Sequence, residues 1–159
     1  MPGLARGRAA AQRGARSAEG DPGHSWRSYD GIGATAMPAT VSVDQDRQLI
    51  RISLDGAVSD LDLIALSCGV RSEGAFSAGW PVLYDCSGAT EVQVTADLVR
   101  SLGLGARRDR NRVAFVAPNA AAFGLARMYQ IVSDEGFGRV QVFANREEAL
   151  AWLAEEPKA

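Results

Sequence analysis

The sequence predicts a mixed α/β domain with a largely parallel sheet of about five strands and about four helices. Three observations predict it. Two short apolar runs, Pro81 to Tyr84 and Arg112 to Ala117, have the length and composition of strands buried on both faces. Longer stretches between and after them space their apolar residues by three and four, as amphipathic helices do. The two kinds alternate, and strands alternating with helices imply crossovers and parallel pairing.

Taken in order, the chain opens with residues 1–37, rich in Ala, Gly and Arg with little to bury. This stretch is expected to be a disordered tail or an extension upstream of a natural start at Met37, with an organellar transit peptide as the lesser reading. Gly31-Ile32-Gly33-Ala34-Thr35-Ala36 has the letters of a dinucleotide fingerprint, G-x-G-x-x-A. It lacks the preceding strand and following helix that would let it hold a pyrophosphate. A single domain is expected over 38–156, a length that can bury a proper core.

Thr40 to Val43 and Leu49 to Leu54 read as a hairpin around the polar turn Asp44 to Arg47. Asp55-Gly56 ends its second strand. A helix should follow, capped by Ser59 with Asp62 three residues on, and with Leu61, Ile64 or Ala65, and Cys68 on its buried face. Gly74 to Gly79 reads as loop. The central strand, Pro81 to Tyr84, runs into Asp85-Cys86-Ser87-Gly88 and a short extended connection. Thr95 is a strong N-cap for a helix to Leu104, with Leu98 and Leu102 inward. After the strand 112–117, Pro118-Asn119 caps a helix to about Ser133 whose stripe is Ala121, Leu125, Met128 and Val132. Arg139 to Phe143 is the last strand. Asn145, with Glu148 at N3, caps a last helix that buries Ala149, Leu150, Trp152 and Leu153. The order is ββαβαβαβα.

Composition excludes several functions. A formal net charge of −2 gives no global field for nucleic acid or anionic membrane. Arg107, Arg108, Arg110 and Arg112 form a short loop broken by Asp109, and nucleic-acid footprints usually span a whole basic face. No apolar run approaches a membrane span, so no membrane insertion is expected. Absence of a signal sequence and of a cysteine framework points to a reducing cytoplasm. There is no P-loop, no zinc spacing and no H-E-x-x-H, so neither cofactor nor metal is expected. A phospho-receiver using Asp85 would need a lysine near the last strands, and the sole lysine is Lys158. A nucleophilic Cys86 or Ser87 would need a base, and the single histidine, His24, lies in the expected tail.

VLYDCSG (82–88), RVAFV (112–116), FGLARMY (123–129) and VFANREEALAWL (142–153) carry a likeness. The stretch from about Val41 to Leu153 resembles small bacterial proteins of the STAS (sulphate transporter and anti-sigma antagonist) and CRAL-TRIO-like fold. It is similar in particular to the uncharacterised sporulation anti-sigma-antagonist-like group. Family members that act as anti-sigma antagonists carry a phosphorylatable serine in a D-S-S-G pattern after the central strand. The corresponding residues here, Val94-Thr95-Ala96-Asp97, depart from it, which argues against kinase-controlled partner switching.

The resemblance implies a non-enzymatic module for protein contact, with a protein partner or a second copy of itself as a homodimer. The alternative is a carrier of a small apolar or lipid-like ligand. A small enzyme using Cys86 or Asp85 ranks last. The candidate interaction or regulatory residues are Asp85, Ser87, Thr95, Asn119 and Phe123; no catalytic and no metal-binding residue is assigned.

Overall fold

The computed structural model of the protein describes residues 39–156 and the backbone of residues 24–28. Among the described residues the order is β1 (His24–Ser28), β2 (Ala39–Asp44), β3 (Leu49–Ser59), α1 (Asp60–Arg71), α2 (Gly74–Ser77), β4 (Val82–Gln93), α3 (Ala96–Ala106), β5 (Val113–Val116), α4 (Ala120–Asp134), β6 (Val140–Phe143) and α5 (Arg146–Ala154). The α/β class stands. The strands form one sheet in chain order, with β1, β2 and β3 antiparallel and β3 through β6 parallel.

Five residues of the expected tail thus form β1, placing His24 opposite Asp44. Backbone pairing at a free sheet edge needs no apolar side chains, so composition gave no sign of it. The rest of the 1–37 stretch, Gly31–Ala36 included, lies outside the described residues. The strand that follows those glycines, β2, runs antiparallel to β1, so no βαβ unit surrounds them.

Two core clusters lie on opposite faces of the sheet. On one face Ile50, Ile52 and Leu54 of β3 and Val82 and Cys86 of β4 pack with Leu66 and Val70 of α1 and Ala122 and Ala126 of α4. On the other, Leu49, Leu83, Ala114 and Val116 pack against Ala149 and Leu153 of α5. A sheet of sequential order with crossovers of one hand puts all its crossover helices on one face. The other face therefore falls to the C-terminal helix, which is free of that constraint.

The central strand does not stop at its polar tip. β4 continues to Gln93 and β3 to Ser59, paired throughout. Asp85-Cys86-Ser87-Gly88 is therefore strand, and Asp55-Gly56 is not a terminator. Two register shifts each leave an extra residue on β4, since Ser53 and Asp55 face Asp85 and Gly88, and Gly56 and Ala57 face Ala89 and Glu91. Each bulge resets the alternation. As a result Val82, Tyr84, Cys86, Ala89 and Val92 all face the same side. Gly88 has no room for a side chain, because a Cβ there would lie 2.0 Å from Asp55 Oδ1 and 3.0 Å from the Leu54 carbonyl oxygen.

The helix caps are where the sequence puts them. Ser59 and Asp62 form a reciprocal capping box, and Thr95, Asn119 and Asn145 each accept from the backbone N–H three residues on. The buried faces of two helices differ from expectation. In α1, Leu66 and Val70 are buried, whereas Leu61 is 77% exposed, Ile64 43% exposed and Cys68 exposed. In α4 the stripe is Ala122, Ala126 and Ser133, one position round from Ala121, Leu125 and Val132. α4 turns its small side chains to the sheet, whereas α1 presents the row of Leu66 and Val70, and apolar spacing alone did not distinguish either row from its neighbour. Gly74 to Ser77, expected as loop, is a single helical turn, and α3 runs past Gly105 to Ala106.

The assignment of α1's inner face can be checked by chemical denaturation. Leu66→Ala should lose about 2–4 kcal/mol. Ile64→Ala should stay within about 0.5 kcal/mol of wild type. Equal losses would mean the helix is rotated from the orientation described.

Candidate functional site

Between the sheet and helices α1, α3 and α4 lies an apolar cavity of about 140 Å³. Its origin is local. α4 turns Ala122 and Ala126 toward the sheet, and β4 answers with Cys86 and Ala89. Small side chains on both sides leave the space between them partly unfilled. α3 cannot fill it by descending, because it packs mainly on α4. A Cβ on Gly103 would already be 3.0 Å from Val132 Cγ1. Leu63, Val92, Val94, Leu102 and Leu125 complete the apolar wall.

One end of the cavity is polar. Tyr84 stacks on Phe115 with ring centroids 4.9 Å apart, and Tyr129 meets Phe115 edge-on at 5.3 Å. Burial is the main reason that both phenols titrate high, Tyr129 at about 12 with the charge of Asp109 adding to it, so both are neutral at physiological pH. Beyond them Arg71 and Asp109 form a two-point ion pair, Nη1 to Oδ1 at 3.0 Å and Nη2 to Oδ2 at 2.7 Å. The Arg71 guanidinium also lies over the Phe76 ring, 5.5 Å from its centroid. Asn111 is buried and donates to the carbonyls of Phe76 (3.0 Å) and Trp80 (2.8 Å), fixing the short turn α2 beside the start of β4.

The residues singled out in the sequence fall into two separate places. Past Leu54 on β3 and Asp85 on β4, the two strands continue beyond β2 and β5 as a two-stranded ribbon. Thr95 and Asn119 fasten it. The Asp60 carboxylate accepts from Thr95 N and Oγ1, both at 2.8 Å, and Asn119 Nδ2 donates to the Ala89 carbonyl at 3.3 Å. Phe123, 42% exposed, sits one turn into α4 at the same end. The expected contact surface thus includes a paired strand where a loop was expected.

Asp85 lies on the opposite face of the sheet. It is 6% exposed, accepts from Ser87 N at 3.0 Å, and takes Arg146 Nε at 2.9 Å and Nη2 on one oxygen. Arg146 is the first residue of α5, so this ion pair ties the helix start to β4. Burial alone would raise the Asp85 carboxyl. The Ser87 hydroxyl and N–H, with the Arg146 charge, outweigh that and hold it below the usual carboxylate range. Cys86 faces the other way, into the cavity wall. Burial, helped by the Asp85 charge, pushes its thiol up to about 12. A nucleophilic cysteine needs the reverse. The backbone of His24 is no partner for it, since β1 lies three strand spacings from β4, roughly 14 Å.

Sequence reasoning missed Arg71, Asp109, Tyr84 and Tyr129 as a group. They come from four elements, and nothing in their spacing joins them. The signal that was present is the run of small residues at Ala122, Ala126 and Gly103. Among the described residues, no three His, Cys, Asp or Glu side chains are grouped to hold a metal ion, and no helix is long and apolar enough to cross a membrane.

The Asp85 ion pair gives a pH prediction. Its folded pKa is below the unfolded value of about 3.9, so its stabilisation is present above that pH and is lost as pH falls through the folded pKa. Asp85→Asn should flatten the acid limb of a stability-versus-pH curve below about pH 4. Arg146→Ala, which leaves the carboxylate without its cation, should cost about 1–3 kcal/mol at pH 7. An unchanged acid limb in Asp85→Asn would refute this role.

No protein-family model and no curated protein sequence matches the chain. Among solved structures, it is similar to the crystal structure of an uncharacterised protein of the DUF3478 family from Shewanella loihica PV-4, described as having a SpoIIAA-like fold. The TM-score is 0.50 at 16% sequence identity, over 77% of this chain and 99% of that one. An identity that low speaks to architecture alone: this chain has a SpoIIAA-like, and hence STAS-like, α/β fold.

Proposed function

We propose that the chain is a non-enzymatic binding module that takes a small apolar ligand into the cavity between the sheet and helices α1, α3 and α4. The observation that carries this reading is the cavity itself, about 140 Å³, with a wall that is apolar except at one end. An apolar void of about 150 Å³ stays dry and accepts benzene or xenon. A ligand that fills this space gains the dispersion contacts that its lining now lacks. This supports the carrier reading over protein contact, the reverse of the order expected from the sequence.

Protein contact is the second reading. It is supported by large apolar side chains left in solvent at the C-terminal end of the parallel strands, Leu61, Ile64 and Phe123. Their partner would be another protein or a second copy of the chain. Sedimentation of wild type against Leu61→Lys with Phe123→Lys separates self-association from a monomer; identical monomeric profiles over a wide concentration range would eliminate the homodimer.

The ligand reading is tested by thermal denaturation with benzene, toluene and indole. A probe at ten times its Kd should add about 1.4 kcal/mol, or about 4 °C in Tm for a domain of this size. Ala126→Leu and, independently, Ala122→Val put carbon into the cavity, and each should abolish the response while the protein stays folded. If no probe moves the wild-type Tm, the cavity is only a packing defect and the reading fails.

A further inference from the structure

We infer that the ligand is an amphipathic anion, its apolar body in the cavity and its acidic head among the arginines of the 107–112 loop. This rests on the small-ligand reading above and adds the chemical class. At its polar end the cavity shares a wall with a groove of about 480 Å³, since Arg71, Phe76, Asp109 and Asn111 line both. A molecule leaving the cavity past Tyr84 and Tyr129 therefore emerges between α2 and the loop before β5.

Charge in that groove is unbalanced. Its wall holds three guanidiniums, Arg71, Arg108 and Arg110, and one carboxylate, Asp109. Asp109 is committed to Arg71 through both oxygens. Neighbouring arginines are also engaged. Arg107 pairs with Glu135 at 2.6 Å, and Arg112 donates to the Trp152 and Glu155 carbonyls while lying 4.0 Å from the Trp152 ring centroid. Arg139 donates to the carbonyls of Asp109 and Arg107. Its Nε is ion-paired with Asp134 Oδ1 at 4.0 Å and makes no hydrogen bond among the described residues. That leaves Arg108 and Arg110, exposed, whose side chains make no hydrogen bond or ion pair among the described residues. Two uncommitted cations on a groove that shares its wall with an apolar cavity favour a molecule with an apolar body and an anionic end. The cavity volume limits the buried part to about the size of a benzene ring. A carboxylate and a phosphate monoester share this chemistry.

Calorimetric titration separates the possibilities. The probes are 4-phenylbutyrate, phenethyl phosphate and the uncharged 4-phenylbutyramide, each at 20 mM and 500 mM salt. The anions should bind about tenfold more tightly than the amide at low salt, the sum of two exposed ion pairs. That advantage should shrink at high salt, because contacts in solvent are screened. Arg108→Ser with Arg110→Ser, both on an exposed loop, should remove it while leaving amide affinity unchanged. A preference for phosphate over carboxylate, or the reverse, identifies the head group within the class. Anion and amide binding equally, or an advantage that survives in the double variant, overturns the anionic ligand and leaves the cavity reading standing. If neither anion nor amide binds, both fall.

Discussion

A parallel pair of strands that outruns its neighbours would ordinarily lose its inward face with every irregularity. In β3 and β4 the irregularities do the opposite. Two bulges on β4, between Asp85 and Gly88 and between Ala89 and Glu91, restore the alternation each time it would have turned an apolar residue to solvent. The cavity floor is therefore one continuous row from Val82 to Val92. Helices α1 and α3 both start from the far end of this ribbon, where Ser59 pairs with Gln93, and Asp60, the first residue of α1, accepts from Thr95, the cap of α3. The placement of both helices, and of the space they enclose, follows from that register.

The two sheet faces solve different problems. The face toward α1 and α4 carries most of the core, yet it is under-filled where alanines meet alanines and cysteine. The face toward α5 is tight: Ala114 and Ala149 are fully buried, and Phe143 and Trp152 close the edge with ring centroids 5.8 Å apart. Because α5 is not a crossover, nothing in the topology sets its angle on the sheet. Its position is set at the start by the Asp85–Arg146 pair and at the end by Arg112, which reaches the Trp152 and Glu155 carbonyls. Charge-assisted contacts at both ends do what connectivity does for the other helices.

Much of this was legible in the sequence. Caps are local, so Ser59, Thr95, Asn119 and Asn145 could be read from their own neighbourhoods. The strands buried on both faces, Val82 to Tyr84 and Val113 to Val116, announce themselves by composition. What could not be read has several physical causes, the first being that spacing does not say which of two apolar rows on a helix meets the sheet. Leu61 and Ile64 have the right spacing for a core face, but the sheet took the row with Leu66 and Val70 instead. Past Gly88, the inward residues Ala89, Val92 and Val94 break the period of two because of the bulge, so that segment looked like a connection. β1 was hidden for a different reason, since its contribution is backbone pairing and four of its five residues are polar. The candidate site was the least legible part. Thr95 and Asn119 stand out in the sequence as caps, and the structure adds that they fasten the ribbon, while the grouping of Arg71, Asp109, Tyr84 and Tyr129 has no local signature.

The cavity and the arginine loop also explain why Asp109 and Arg71 pair across 38 positions of the chain. Without Asp109, the polar end would hold several guanidiniums and two neutral phenols, with no counter-charge in the groove wall. Without Arg71, a carboxylate would sit beside two phenols whose ionisation burial already disfavours. Paired, they close the polar end of an apolar space at little net charge and still leave Arg108 and Arg110 uncommitted outside. An ion pair with one side chain 42% exposed and the other 19% can be exchanged, because water and counter-ions partly solvate it already. A fully buried pair in the same place would have sealed the cavity, since separating it would strand a charge at a cost of several kcal/mol. On the proposed reading, it is the partial exposure of this pair that would let a ligand pass between the interior and the loop.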